Sequence, residues 1–466
     1  MRVINMKKNI LSISVIAIVL LTSCTNFLDI KPYGKTIPKT PDEFASLLHT
    51  YLYKIDQGES DIFTDTPSII NYECYADNLD ANLTSYPKGD FIPLYIGSHL
   101  SNMQHLYERL YAIIRDCNII LDNLKEDGSA LTSNVLGTAY AIRGMCYFNL
   151  LRNFCEPAVN NTSGEGVPLV ASFNMEDKPV RNTIEETIRF IESDYKKALE
   201  YNINDEVYIF NNDVINALLS RLYFWVGDWS NAIVYSKKVL DKFPLLAGKE
   251  YEDMIRSSVT KKGNMIFKSG GIFNSGQEMS NLSSIETAKD SRPLSRKFVG
   301  LFKEGEKDIR YSLTIGSTRK FAKMPLSCIR SAEMQLIVAE SLYHLGDKNG
   351  ALKALNELRS KRIKSYKYLT EADLQSPDPE SLIKVDATGK QLTPLISAIL
   401  NERTKELFME DDRWYELKRN GCPEFWVAKQ GRKYTTFKFM YTFPLPIMDI
   451  FLVKGLVQNP GYNKVG

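Results

Sequence analysis

Hydrophobic and polar positions follow the period of an α-helix along most of this chain. Leu100, Met103, Leu106, Tyr107, Leu110, Ile113, Ile114, Cys117, Ile120, Leu121 and Leu124 recur at three- and four-residue spacing, which lays one apolar stripe along a helix. The same reading predicts helices from about Thr132 to Phe154 and from Thr183 to Tyr201. The second of these opens on Asn182 and Thr183, with Glu185 and Glu186 in its first turn. An earlier helix begins near Pro41, Asp42 and Glu43 and carries Phe44, Leu47, Leu48 and Tyr51 on one face. Residues 58–98 hold Pro67, Pro87, Pro93 and scattered tyrosines, and read as loops with little regular structure.

Residues 217–244 read ALLSRLYFWVGDWSNAIVYSKKVLDKFP and resemble one tetratricopeptide unit. Small residues let two antiparallel helices approach, Gly227-Asp228 turns the chain, and Pro244 stops the second helix. A second copy spans 333–362, with Ala339, Tyr343, Gly346, Ala351, Leu352 and Leu355 in matching places. Two further helix pairs bring the expected array to about four units, enough to stack a continuous core. Residues 245–325 interrupt the array with Gly263, Gly270, Gly271, Gly276 and many Ser and Asn. This stretch is expected to be an insertion of short strands and loops, helped by residues 364–392, and long loops on a rigid scaffold often bind ligands.

One apolar run does not fit the helical period. Ile10 to Leu21 follows Lys7 and Lys8 and ends at Leu21-Thr22-Ser23-Cys24. It is shorter than the roughly 20 residues of a bilayer span and has the layout of a secretory signal peptide, with its usual shape from Met6. The cleavage region resembles a bacterial lipobox, so residues 1–23 are expected to be removed and Cys24 to be the lipidated first residue. Several acyl chains there would anchor the protein to a membrane without spanning it.

Composition is ordinary for a globular chain of 466 residues, 44% apolar and 24% charged. The net charge of +2 falls to −1 when Arg2, Lys7 and Lys8 leave with the leader, which argues against nucleic acid as a partner. Beyond Cys24 there are six cysteines and no C-x-x-C pair, so zinc is poorly supported, and Cys117 and Cys146 are expected to be buried thiols. The four histidines, 49, 99, 105 and 344, form no metal motif, and no cofactor is implied; acidic residues show no EF-hand spacing, so a structural calcium ion has no sequence support. Glu402, Glu406 and Glu410 share one helix face and could serve acid–base chemistry on a glycoside. Arg403, Lys405, Arg413, Lys418 and Arg419 interleave with them, which favours ion-paired packing.

Several motifs together resemble the SusD/RagB family of outer-membrane lipoproteins. They are Cys24 followed by Asn26-Phe27-Leu28-Asp29, and Asp308-Ile309-Arg310. Arg330, Glu333 and Ala339-Glu340 follow, with Asn356 and Arg359. The run from Asn401-Glu402-Arg403 to Arg419 comes next, then Phe443-Pro444-Leu445-Pro446 and Gln458-Asn459-Pro460-Gly461-Tyr462. The resemblance implies a domain over 24–466, all-α dominated. A tetratricopeptide-like scaffold at about 41–244 and 328–421 would carry a loop-rich portion at about 245–325 and a C-terminal packing segment at about 422–466. It implies a non-enzymatic binder on the cell surface that hands oligosaccharides or peptides to a SusC-like TonB-dependent barrel. The chain departs from the family pattern at Phe154-Cys155-Glu156-Pro157, where an aromatic-Gly pair is usual and a longer spacer leads to Val167-Pro168. The expected ligand site is the tyrosine-rich early region: Tyr72, Tyr75, Asp77, Asn78, Tyr86 and Tyr95, with Phe273 and Asn274 as further candidates. A lipid-anchored glycoside hydrolase using Glu402 and Glu406, and a helical-repeat adhesin binding a protein, are the alternatives.

Overall fold

In the computed structural model, residues 38–80, 95–174, 176–257, 261, 263–270, 285–286, 288–289, 292–429 and 431–462 are described. Cys24, Tyr86, Phe273 and Asn274 lie outside them.

The periodic stretches form helices for identifiable local reasons. Helix α1 spans Pro41–Gln57 and buries Phe44, Leu48, Leu52 and Ile55. Helix α2, Thr66–Tyr75, corrects the expectation of loops over 58–98. Pro67 sits in its first turn, where its missing N–H costs nothing, and Asp65 accepts a hydrogen bond from Ser68 N at 2.9 Å. The helix is short and buries Ile69, Ile70, Tyr72, Cys74 and Tyr75, so no clean apolar stripe announced it. Helices α3 (Met103–Asn123), α4 (Ala130–Phe154) and α5 (Ile184–Glu200) follow; Thr183 and Glu186 close a reciprocal cap on α5.

The repeat units fold as read. Helix α6, Asn212–Val226, ends at Gly227, whose φ of 82° closes the helix in a conformation that L residues avoid. Asp228 then caps α7, Trp229–Lys242. Ser220 and Ser236 meet at 2.6 Å between the two helices, a contact that only small side chains allow. The second unit repeats the device with α8 (Gly248–Arg256) intervening: in order come β1 (Met265–Ser269), α9 (Arg296–Gly300), α10 (Ile309–Thr314), β2 (Ser327–Arg330), then α11 (Ser331–His344) and α12 (Lys348–Ser360), with Asp347 capping α12. Neighbours stack in chain order from α3 to α7, and α11 packs on both α7 and α12. Strands β1 and β2 pair antiparallel, Phe267 opposite Ile329, and bring the insertion back to the scaffold.

Helices α13 (Pro394–Glu406) and α14 (Arg413–Arg419) lead to the hairpin β3 (Phe425–Lys429) and β4 (Arg432–Thr436), and α15 (Ile447–Leu452) follows. The closing turn packs as its sequence suggests. Gly461 has φ 92°, Tyr462 meets the Phe439 ring edge-on at 5.1 Å, and Asn459 donates to the carbonyls of Phe154 and Phe443. A second, smaller core joins Ile69 and Ile70 of α2 to Leu294, Phe298 and Phe408. Cys117 and Cys146 are both fully buried free thiols.

Candidate functional site

The acidic row is sealed, and only part of it is helical: Glu402 and Glu406 lie on α13, whereas Glu410 falls in the turn past its end, where Met409 has φ 60°. Glu402, Glu406 and Glu410 are 1%, 0% and 8% exposed. Glu406 accepts from Arg330 Nη1 at 2.6 Å, Arg310 Nη1 at 2.9 Å and Arg362 Nη2 at 2.9 Å. Glu410 accepts from Arg330 Nε at 2.7 Å and pairs with Lys323; Glu402 pairs with Arg310, Arg359 and Lys405. Asp308 closes the network on Arg310 at 2.6 Å. Burial alone would push the Glu406 carboxyl up, but Arg362, Arg330 and Arg310 hold it well below the usual range, and Glu402 is lowered in the same way. Such carboxylates stay ionised, are buried away from bulk solvent and are already engaged by guanidinium and ammonium groups. They clasp α13 to α10, α12 and β2.

The open polar and aromatic surface lies elsewhere. A cleft of about 220 Å³ is walled by the loop Ser60–Asp65, by α2, by His99 and Asn102 before α3, and by Asn149 and Asn153 of α4. Its floor is aromatic. Tyr72 meets Tyr75 edge-on at 6.0 Å and Tyr415 at 5.6 Å, and Trp414 lies behind both tyrosines. Ser68, Asn71, Tyr72 and Tyr75 fall at i, i+3, i+4 and i+7, so one face of α2 supplies hydroxyl, amide and two rings to the same cleft. Arg109 and Asp61 pair at 2.7 Å on the rim. Asn71 and Asn102 have no side-chain hydrogen bond within the described residues. A cleft with ring surfaces below and spare amides and hydroxyls above suits a polyhydroxylated guest.

Of the six residues expected to form the ligand site, Tyr86 lies outside the described residues, and the structure separates the other five. Tyr72 and Tyr75 line the cleft but are 7% and 2% exposed, so they are its floor and not free-standing platforms. Asp77 accepts from Nε and Nη2 of Arg413, at 2.7 and 2.9 Å. Asn78 is buried and donates to Glu73 at 3.0 Å. Tyr95 packs against Tyr434 of the hairpin, ring centroids 5.5 Å apart. The cleft also gathers Asp61, Ser68, Asn71, His99 and Asn102, which the sequence reading did not single out. The helical spacing of 68, 71, 72 and 75 was the available signal.

Behind the cleft, sharing Thr64, Asn149 and Tyr415 with it, is an inner cavity of about 80 Å³. Arg152 Nε, Trp225 Nε1, Arg403 Nη1, Asp411 Oδ1, Glu416 Oε1 and Arg419 Nη1 belong to its lining and have no protein partner. Mixed donors and acceptors in that space match internal water. Burial pushes Asp411 up to about 6 despite Arg152 and Thr64, and Thr64 Oγ1 donates to it at 2.5 Å. Among the described residues no three His, Cys, Asp or Glu side chains are placed to hold a metal ion, and no helix is long and apolar enough to cross a membrane.

Two family profiles match adjoining parts of the chain. The SusD family matches residues 220–462, and a family described as starch-binding associating with outer membrane matches residues 26–224. Solved structures agree on the fold. A SusD superfamily protein from Bacteroides thetaiotaomicron superposes with a TM-score of 0.67 at 20% identity, over 90% of this chain and 100% of its own. A SusD-like carbohydrate binding protein from Bacteroides vulgatus gives 0.67 at 18%, over 90% and 98%. A laminarin binding SusD-like protein gives 0.58 at 18%, over 91% and 100%. No curated protein matches the chain. None of these matches is to an enzyme family, and one of the two family descriptions names starch binding and association with the outer membrane. On motif order, helical architecture and profile coverage together, this chain belongs to the SusD family.

Proposed function

We propose that the protein is a lipid-anchored, non-enzymatic binder on the outer face of the outer membrane, tethered through Cys24. It captures oligosaccharides in the cleft between the Ser60–Asp65 loop, α2 and α4, and releases them to a SusC-like TonB-dependent barrel. The observation that carries this reading is the cleft itself: two tyrosine rings at its floor beneath the Asn71 and Ser68 side chains. A neutral, hydroxyl-rich ligand is favoured over a peptide because amides and hydroxyls there outnumber charged groups free of partners. The hydrolase alternative loses its support, since Glu402 and Glu406 are sealed in ion pairs. Delivery would proceed by hinged opening of the binder over the barrel, capture and closure.

The test is affinity purification of the tagged, lipidated protein from gently solubilised outer membranes of its own host. A stoichiometric large β-barrel is the expected co-purifying species. Its absence with the anchor intact would remove the transport partnership, and lipid missing from Cys24 would remove the anchor.

A further inference from the structure

A second concave surface lies away from the cleft, where the chain departs from the family pattern. The segment after α4, Glu156 to Asn161, faces the turn 386–389 and the segment 437–439 across a groove of about 580 Å³. This volume is in the range of small-ligand sites. Phe437 is 44% exposed, and its ring lies parallel to that of Phe439, 9° apart in plane with centroids separated by 6.0 Å. Two of the lining segments, 437–439 and 386–389, are braced by their own contacts. Glu424 accepts from Lys438 N at 3.0 Å, and Tyr462 braces Phe439 from behind. Opposite, the buried Asp386 carboxylate accepts from Thr388 N, Thr388 Oγ1 and Lys390 N and fixes its turn. Asn160 is held left-handed, φ 61°, and neither it, Asn161 nor Lys438 has a side-chain hydrogen bond within the described residues.

These features specify a ligand. The exposed Phe437 ring offers flat apolar surface, spare amides offer both donors and acceptors, and a braced frame limits the entropy lost on binding. The lining carries Glu156, Asp386 and Glu424 against Lys418, Arg419 and Lys438, so the charges balance and a polyanion gains nothing there. We propose that this groove is a second carbohydrate subsite, which takes the apolar face of a neutral pyranose on Phe437 and its hydroxyls on Asn160 and Asn161. The proposal rests on the glycan-binding reading above. Asn149 and Asn153 line the cleft while Glu156 lines the groove, and Tyr415 lines the cleft while Lys418 lines the groove. Glu156 lies two residues past the end of α4, and the two linings share no residue, so one protein can present both sites.

The test is a crystal structure of the full chain soaked with laminarihexaose and, separately, maltohexaose, paired with solution affinities for the same probes. The expected result is a sugar ring stacked on Phe437 with Asn160 or Asn161 in hydrogen-bond range. Phe437→Ala, at an exposed position that folding tolerates, should weaken hexasaccharide binding about tenfold. Sugar in the cleft alone, or a Phe437→Ala affinity equal to wild type, overturns the subsite and leaves the cleft reading standing. Sugar in neither place, with no solution binding, overturns both.

Discussion

The acidic row that begins on α13 and the polar face of α2 are both rows of polar side chains at three- and four-residue spacing, and they do opposite work. Glu402, Glu406 and Glu410 repeat every four residues, as carboxylates in a catalytic site could. Their partners come from α10, α12 and β2, and the whole set is excluded from water. Ser68, Asn71, Tyr72 and Tyr75 repeat at three and four residues but end at a cleft, with Asn71 unpartnered above a ring floor. Helical spacing says which side chains share a face. Only the elements packed against that face decide whether it is a clasp or a site.

The largest effect is expected from breaking the clasp. Glu406→Ala leaves Arg310, Arg330 and Arg362 buried without their shared acceptor and should destabilise the protein by about 3–5 kcal/mol, or prevent folding. Chemical denaturation measures it; a loss under about 1 kcal/mol would mean that the network is not holding the fold.

Titration separates two kinds of buried carboxylate. Glu73 lies on the cleft helix α2, 2% exposed, and burial pushes it up to about 7 even though Met409 N and Asn78 donate to it. A carboxyl whose pKa is higher folded than unfolded binds its proton more tightly in the native state. Stability therefore falls as pH rises from about 4.5 to about 7, by roughly 3 kcal/mol from this group. Glu402 and Glu406, held low, have the opposite sign: their contribution is complete above the unfolded value and is lost as pH drops through the folded one. Unfolding free energies of wild type and Glu73→Gln between pH 5 and 7.5 should converge at the acid end. Parallel curves would contradict the buried-acid reading.

The cleft should answer in binding and hardly in stability. Ser68→Ala with Asn71→Ala removes two unengaged polar groups, and glycan affinity should fall about tenfold or more while the unfolding free energy moves by less than about 1 kcal/mol. Tyr75→Ala is a poorer probe, because at 2% exposure its loss opens a cavity costing about 3–5 kcal/mol. The smallest effect belongs to the outer surface. Phe451 on α15 is 77% exposed, and Phe451→Ser should shift stability by no more than about 0.5 kcal/mol in a thermal melt.

Much of the scaffold was legible in the sequence because its signals are local. The Gly227-Asp228 and Gly346-Asp347 turns, the Thr183 cap and the Asn459–Tyr462 turn all act within a few residues of themselves. The site was less legible because its assignments are long-range. Asp77 is engaged by Arg413, 336 positions away, and nothing near Asp77 foretells it. Helix α2 was hidden for the related reason that its burial is supplied by Leu294, Phe298 and Phe408, and by aromatic residues of α14. Pro67 reads as a breaker unless the helix is known to start beside it.

The most direct test is calorimetric titration of wild type and the Ser68→Ala/Asn71→Ala variant with a panel of neutral oligosaccharides that includes laminarihexaose and maltohexaose. The account predicts saturable binding of at least one of them by wild type, at least tenfold weaker in the variant, with both proteins equally folded. Undiminished binding by the variant, or no binding of any panel member by folded wild type, would contradict it.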